Sequence, residues 1–484
     1  MTTSVKFYVS NFLIILFLST ELAYGEQFIA PEQENKVPIN RPKEDERPDQ
    51  QFSVMFLGRV LTFGGEIEME WRDRRDRSLG RRDDDDNRVS VDMDLEALYT
   101  INDAMSLFLK LQPSYRAELY TEGGDAEDAY DLKLSQVWFY FPINTKKNMS
   151  LRIGRQYLGD DREWWFDDEL DAIQFLYRKK PLRLSFTFGT LPGDTSLLES
   201  EHDVEEDIYW LIAHANWRWK NKHRFEIFLL SHLDQSTIHQ QGQTISQTQE
   251  DETDANLTWL GLRQSGRFKM AGSRWQYWLD FGAVAGRETV YDFDDVDDIR
   301  STVDERIDKK VSGWGYDVGI TWELPWRIKP RLTWVFASGS GDNTPNNDID
   351  NSYRQTGLHS NDDRFRGKNS FRYYGETLRP ELSNLSITTI ALGFALGSEG
   401  SVEIVHHQYS QHHASDELRG ASLRTDPEGE NTNIGQEINL IFGFEYWENF
   451  EMELVAARFR AGDAYGEFSG KTSSRVSLEL EYSF

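Results

Sequence analysis

The densest group of side chains able to do chemistry is Asp160-Asp161-Arg162-Glu163-Trp164-Trp165-Phe166-Asp167-Asp168-Glu169, where carboxylates surround aromatic rings. That mixture suits a sugar-stacking subsite, a Ca²⁺ site or the paired carboxylates of a glycosidase. It falls between two expected strands, which favours an acidic external loop with interfacial tryptophans, and no catalysis is expected there. His406-His407 and His412-His413 offer imidazoles to a metal. Adjacent strand residues point to opposite faces, however, so at most alternate ones converge, and no metal site is expected. No nucleophile elbow, phosphate-binding loop or dinucleotide fingerprint stands in a strand–helix context. An enzyme is the weakest class, and no cofactor is expected.

Charged residues spaced two apart carry a different chemistry, because a strand puts them on one face. Arg458 and Arg460 stack opposite Val455, Ala457 and Phe459, Arg152 opposes Leu151 and Ile153, and Lys110 and Arg116 oppose Leu107, Leu109 and Leu111. In a water-filled lumen such cations attract an anion; the plainer alternative is that each arginine offsets a wall carboxylate. Glu66, Glu68 and Glu70 share one face, as do Asp92, Asp94 and Glu96, so the lumen is not expected to be uniformly positive.

The elements that hold these residues are strands throughout. In Arg475 to Phe484, Val476, Leu478, Leu480, Tyr482 and Phe484 alternate with Arg475, Ser477, Glu479, Glu481 and Ser483, the pattern of a wall between lipid and lumen. A Phe closing such a strand resembles the outer-membrane assembly signal. Segments of about ten residues recur upstream. Short turns, such as Ser398 to Gly400 and Trp219 to Lys222, alternate with long polar connections at Arg72 to Asn87, Gly193 to Asp207, Asp234 to Asp254, Gly286 to Ser312, Gly339 to Asn369 and Gln411 to Asn433. The reading is all-β: one large antiparallel transmembrane β-barrel of about 18 strands, short turns periplasmic and long loops outside. Aromatic clusters near the turns form interfacial girdles, and acidic loops could bind Ca²⁺.

Lys6 before the apolar run Phe12 to Leu18, with Ala23-Tyr24-Gly25 after it, makes residues 1–25 a signal peptide. Residues 26–51 lack alternation and read as a flexible periplasmic arm, leaving 52–484 for the barrel. The chain has no Cys, and its net charge of -29 argues against nucleic acid as a partner.

Several segments resemble the alginate export family of outer-membrane porins. These are Arg152-Ile153-Gly154-Arg155-Gln156 with Asp160-Asp161 and Leu170-Asp171-Ala172; Arg354-Gln355-Thr356-Gly357-Leu358-His359-Ser360-Asn361; Gly375-Glu376 and Leu378-Arg379-Pro380-Glu381-Leu382-Ser383-Asn384-Leu385; Gly435-Gln436-Glu437-Ile438; and Gly462-Asp463-Ala464-Tyr465-Gly466. The resemblance implies a monomeric eighteen-strand barrel that passes alginate or a similar anionic polysaccharide outward through an arginine-lined constriction. It also implies contacts with outer-membrane lipid and with periplasmic export-complex proteins. Carried over, the pore arginines are Arg152, Arg155, Arg379, Arg458 and Arg460. Gln136 and Tyr157 stand where further arginines are expected, and a diffusion porin for small solutes is the alternative.

Overall fold

The computed structural model describes residues 52–484 apart from 82–83, 103, 122–127, 147, 194, 199–207, 237, 247–249, 252, 298–299, 345–346 and 447–448. The expected signal peptide and arm lie outside the described residues. Eighteen long strands follow: β1 Arg59–Arg75, β2 Asp86–Thr100, β3 Ser106–Thr121, β4 Asp128–Pro142, β5 Met149–Gly159 and β6 Asp167–Lys179. Next come β7 Leu182–Thr190, β8 Ile208–Lys220, β9 His223–Asp234, β10 Thr253–Met270, β11 Ser273–Asp297 and β12 Arg300–Glu323. The last six are β13 Arg331–Gly339, β14 Leu385–Leu396, β15 Gly400–Gln411, β16 Asn433–Tyr446, β17 Phe450–Ala461 and β18 Thr472–Ser483.

Each strand pairs antiparallel with its neighbour in sequence, and β1 closes on β18 from Glu66↔Ser483 to Arg75↔Ser474. Alternation explains why the sheet closes. On β14, Leu385, Ile387 and Ala391 are buried while Ile390 and Leu392 face outward and exposed. Ile173, Leu260 and Trp334 on other strands are likewise 52%, 59% and 52% exposed. Such an apolar belt is tolerated only against lipid. Closure leaves no unpaired edge to solvate in the bilayer.

The expected short turns all fall at one end of the barrel, the periplasmic end by the usual rule. Three long connections differ from expectation. Much of Gly286 to Ser312 is a β-ladder rather than a loop, since β11 and β12 run on as a hairpin through Val290↔Ile307 and beyond. Outside the membrane both faces of a ladder are wet or loop-covered, so the apolar–polar alternation that marks a strand is lost. Arg72 to Asn87 is partly strand, the connection between β1 and β2 shortening to residues 76–85.

The third difference is the largest: Gly339 to Asn369, read as a solvated loop, folds into the barrel together with residues 370–384. Tyr353, Leu358, Phe365, Phe371, Tyr373, Tyr374, Leu378 and Leu382 share one buried cluster with the inner faces of β9 to β17. The segment descends until Arg366 reaches Glu323 and Lys368 reaches Glu445, both near strand ends at the periplasmic side. We call it the plug.

Candidate functional site

The plug is held by the same acidic–aromatic stretch that resembled a sugar or metal site. Trp164 and Trp165 are fully buried, not interfacial. Trp165 lies against Gly261 of β10, where a Cβ would fall 1.9 Å from its ring, so only glycine admits the indole. Thr356 Oγ1 donates to the Trp165 carbonyl at 2.6 Å, Trp164 Nε1 donates to Tyr374 Oη at 2.9 Å, and Tyr374 Oη donates to Asp317 at 2.9 Å.

Beneath these rings is a buried ionic network. Arg162 reaches Asp280 at 3.2 Å, Asp317 at 3.4 Å and Asp363 at 3.0 Å, and lies 4.6 Å from the ring centroids of Trp278 and Tyr373. Arg263 pairs with Asp160 and, at 2.5 Å, Asp280. Burial opposes the Arg162 charge, but Asp317, Tyr373, Asp363 and Asp280 outweigh it and hold the guanidinium above its ordinary pKa. Asp160, Asp280, Asp317 and Asp363 are thereby engaged by these two arginines, which ties the stretch to the plug and the wall. From the opposite wall, buried Glu437 of β16 accepts the backbone N–H groups of Glu376, Thr377 and Leu378 at 2.6, 2.9 and 2.9 Å.

The plug fills the β9–β16 side, where inner-facing residues are buried, and leaves the inner faces of β1 to β3 and β18 partly exposed. This open side carries two charges in sequence. In its periplasmic half the register sets Glu68 beside Asp92 and Glu481, Glu70 beside Glu479, and Glu453 beside Glu479. In its external half it sets Arg72 beside Arg88, Arg74 beside Arg475, and Arg116 beside Ser90. Glu70 marks the change of sign, within 3.7 Å of Arg72, 4.0 Å of Arg88 and 3.3 Å of Arg475. Lys110 pairs with Asp94 at 2.6 Å, whereas Arg116 is exposed to the passage.

The expected arginines separate. Arg152 faces inward, buried, bonded through Nε to Gln156 and 5.5 Å from the Trp138 ring centroid. Arg379 lies on the plug with φ +50°, bonded to Glu376 at 3.1 Å, and lines a small cavity with Arg74, Arg77 and Arg475. Arg155 is on the outer face, paired with Asp171 through two bonds of 2.9 and 3.0 Å; being three positions from Arg152, it has the opposite parity. Arg458 and Arg460 also point outward. Their neighbours Val455, Ala457 and Phe459 are buried against the plug, so the apolar face of β17 is here the inner one.

Sequence reasoning passed over Arg72, Arg74, Arg88 and Arg475, although the first two continue the Glu66-to-Glu70 parity. It also passed over Arg218, Lys222, Arg224 and Arg267, which line a cavity of about 500 Å³ at the periplasmic mouth. His407 is buried between Thr389 and Asn439, while His406 points outward to Gln436. The two do not converge. Among the described residues the acidic group most compact about a point is Asp234, Asp251 and Asp254 in and beside the β9–β10 connection.

Comparison with known proteins agrees with this architecture. The model of the family described as Alginate export matches residues 59–179 and 198–479. The Alginate production protein AlgE of Pseudomonas aeruginosa is 23% identical over 385 residues, covering 75% of this chain and 76% of the relative. Its namesake from Pseudomonas syringae pv. tomato is 22% identical, covering 69% and 71%. Among solved structures, OccK5 (OpdH) of Pseudomonas aeruginosa superposes with TM-score 0.53 at 8% identity over 88% of this chain and 98% of that one. OccAB1 of Acinetobacter baumannii gives 0.52 at 10% identity over 87% and 96%. Fold and family are those of transport porins of the bacterial outer membrane.

Proposed function

Because this chain belongs to the alginate export family, we propose that it passes an anionic polysaccharide, alginate or a polymer like it, from the periplasm to the cell surface. The observation that carries the reading is the pair of cationic stations on the lumen. Arg218, Lys222, Arg224 and Arg267 stand at the periplasmic mouth. Arg72, Arg74, Arg88, Arg116 and Arg475 stand in the external half, with Arg379 of the plug beside Arg74 and Arg475.

Guanidinium forks suit uronate carboxylates. Spread over several partly neutralised sites, they attract a polyanion without trapping it, which conduction requires. The mouth cluster collects the chain from the periplasm, and the external cluster draws it past the plug. The acidic ladder of β1, β2, β17 and β18 keeps the polymer off that wall by repulsion and confines it to the cationic track. The names of the relatives agree with this cargo.

The test is single-channel conductance of the refolded chain in planar bilayers with oligo-uronates titrated in. Arg116→Ala/Arg379→Ala is expected to weaken block by roughly tenfold, the value of one or two charge-assisted bonds. Cation selectivity with no uronate block would sink the polyanion reading. It would favour a diffusion porin for small solutes, which the acidic ladder suits.

A further inference from the structure

Arg458 and Arg460 do not serve the lumen, and their position calls for another partner. They follow Phe450 by eight and ten residues on a tilted strand, which places them roughly 20 and 25 Å up the wall. The outward apolar band of such barrels is about 25 Å tall, so both guanidinium groups sit at its external border. The chain's net charge is -29, yet no carboxylate of the described residues lies within ion-pair distance of either group. Arg458 donates to Thr472 Oγ1 at 3.3 Å, and both arginines are exposed.

Directly below them the outer wall is grooved. Ala456, the smallest side chain in the row Leu440↔Ala456↔Val476, leaves a furrow of about 350 Å³ lined by Ile404, Ile438, Leu440, Ala456 and Val476, with Arg458 at its upper end. An apolar slot under two exposed cations matches one kind of ligand: an acyl chain bearing a phosphate. Free phosphate would leave the furrow empty, and a lumenal polymer cannot reach the outer face.

We propose that Arg458, Arg460 and the furrow at Ala456 form a binding site for a phosphorylated lipid of the outer leaflet. The phosphate lies between the guanidinium groups and one acyl chain lies along Ile438 and Leu440. Arginine forks favour phosphate oxygens over a point contact. Asp73 is engaged by Arg75 at 2.9 Å, and Asp463 accepts from Ser469.

Native mass spectrometry of the full chain in detergent, titrated with bisphosphorylated lipid A or its dephosphorylated counterpart, tests this. The wild type should retain one lipid per barrel and prefer the phosphorylated form by about tenfold or more, as expected for charge-assisted bonds. Arg458→Ala/Arg460→Ala should abolish the preference, Arg458→Lys/Arg460→Lys should restore part of it, and Ala456→Phe should weaken retention of both lipids. All variants should keep the heat-modifiable gel mobility of a closed barrel and unaltered uronate block. Equal retention by wild type and the alanine pair, or displacement of the lipid by inorganic phosphate at equal concentration, overturns the site. So does a change in uronate block in the alanine pair, which would assign these residues to the polymer instead.

Discussion

The Arg162 guanidinium donates to the Asp363 carboxylate at 3.0 Å, joining two connections that stand 201 positions apart in the chain. The contact pins the descending limb of the plug to the β5–β6 connection, deep in the lumen. Asp280 and Asp317 complete the cage from the wall. This buried cation is thus one of the fixtures that seat the plug.

Arg162→Ala leaves Asp280 and Asp317 without their shared partner, a loss of about 3–5 kcal/mol for a broken buried network. The loss falls on the plug, because the strand ladder does not include Arg162. Mean conductance should rise and protease should cut between Tyr353 and Tyr373, while gel mobility stays that of a closed barrel. Wild-type conductance and resistance to cleavage in this variant would refute the lock.

Glu437→Gln should loosen a second fixture. One amide oxygen cannot replace a carboxylate that accepts three backbone N–H groups, and the deficit is about 1.5–3 kcal/mol. Hydrogen exchange should quicken at Glu376, Thr377 and Leu378 and not along β14. Uniform exchange across both segments would show that the nest does not hold the plug.

Seating of the plug should also weaken with rising pH. Burial, reinforced by Asp167, pushes the Glu163 carboxyl up to about 8, and burial, reinforced by Glu376, pushes Asp362 up to about 7. Both values exceed that of an unfolded carboxylate, about 4. Their contribution is thus complete at low pH and is lost as pH rises through about 7 to 8. Channel noise and plug cleavage should increase between about pH 5 and about pH 9, less so in Glu163→Gln. A seating that tightens with pH would contradict this sign.

Arg155→Ala separates the wall from the passage. Its partner Asp171 is on the outer face, so uronate block should match wild type even where stability falls by up to about 1 kcal/mol. Block weakened as much as in Arg116→Ala would place Arg155 at the lumen after all.

Strand positions, turn polarity and the eighteen-strand count were readable because lipid on one side and water on the other impose a period of two. Which face is the lumen was not always readable. At β18 the apolar face is outward, at β14 both faces are apolar, and at the upper part of β17 the apolar face is the inner one. Val455, Ala457 and Phe459 meet the plug, and parity alone then assigned Arg458 and Arg460 to the wrong side. The plug itself resembles an exposed loop in composition. Its charges are neutralised in part by partners distant in the chain, as Arg354 is by Glu288 of the wall. The arginines of β1 were missed for a simpler reason: Asp73 and Arg75 break the apolar face just where the strand leaves the membrane.

The seam between β1 and β18 sets the order in which this molecule can come into being. All other pairs among the eighteen strands join sequence neighbours, so each closes a loop far shorter than the chain, the longest being the plug segment between β13 and β14. Arg475 and Glu70, facing one another across the seam, are 405 positions apart. The whole cost of ring closure is concentrated in that final pairing. Until it forms, both edge strands are open templates for a neighbouring chain. Assembly must therefore bring the two edges of one chain together before either pairs with another chain.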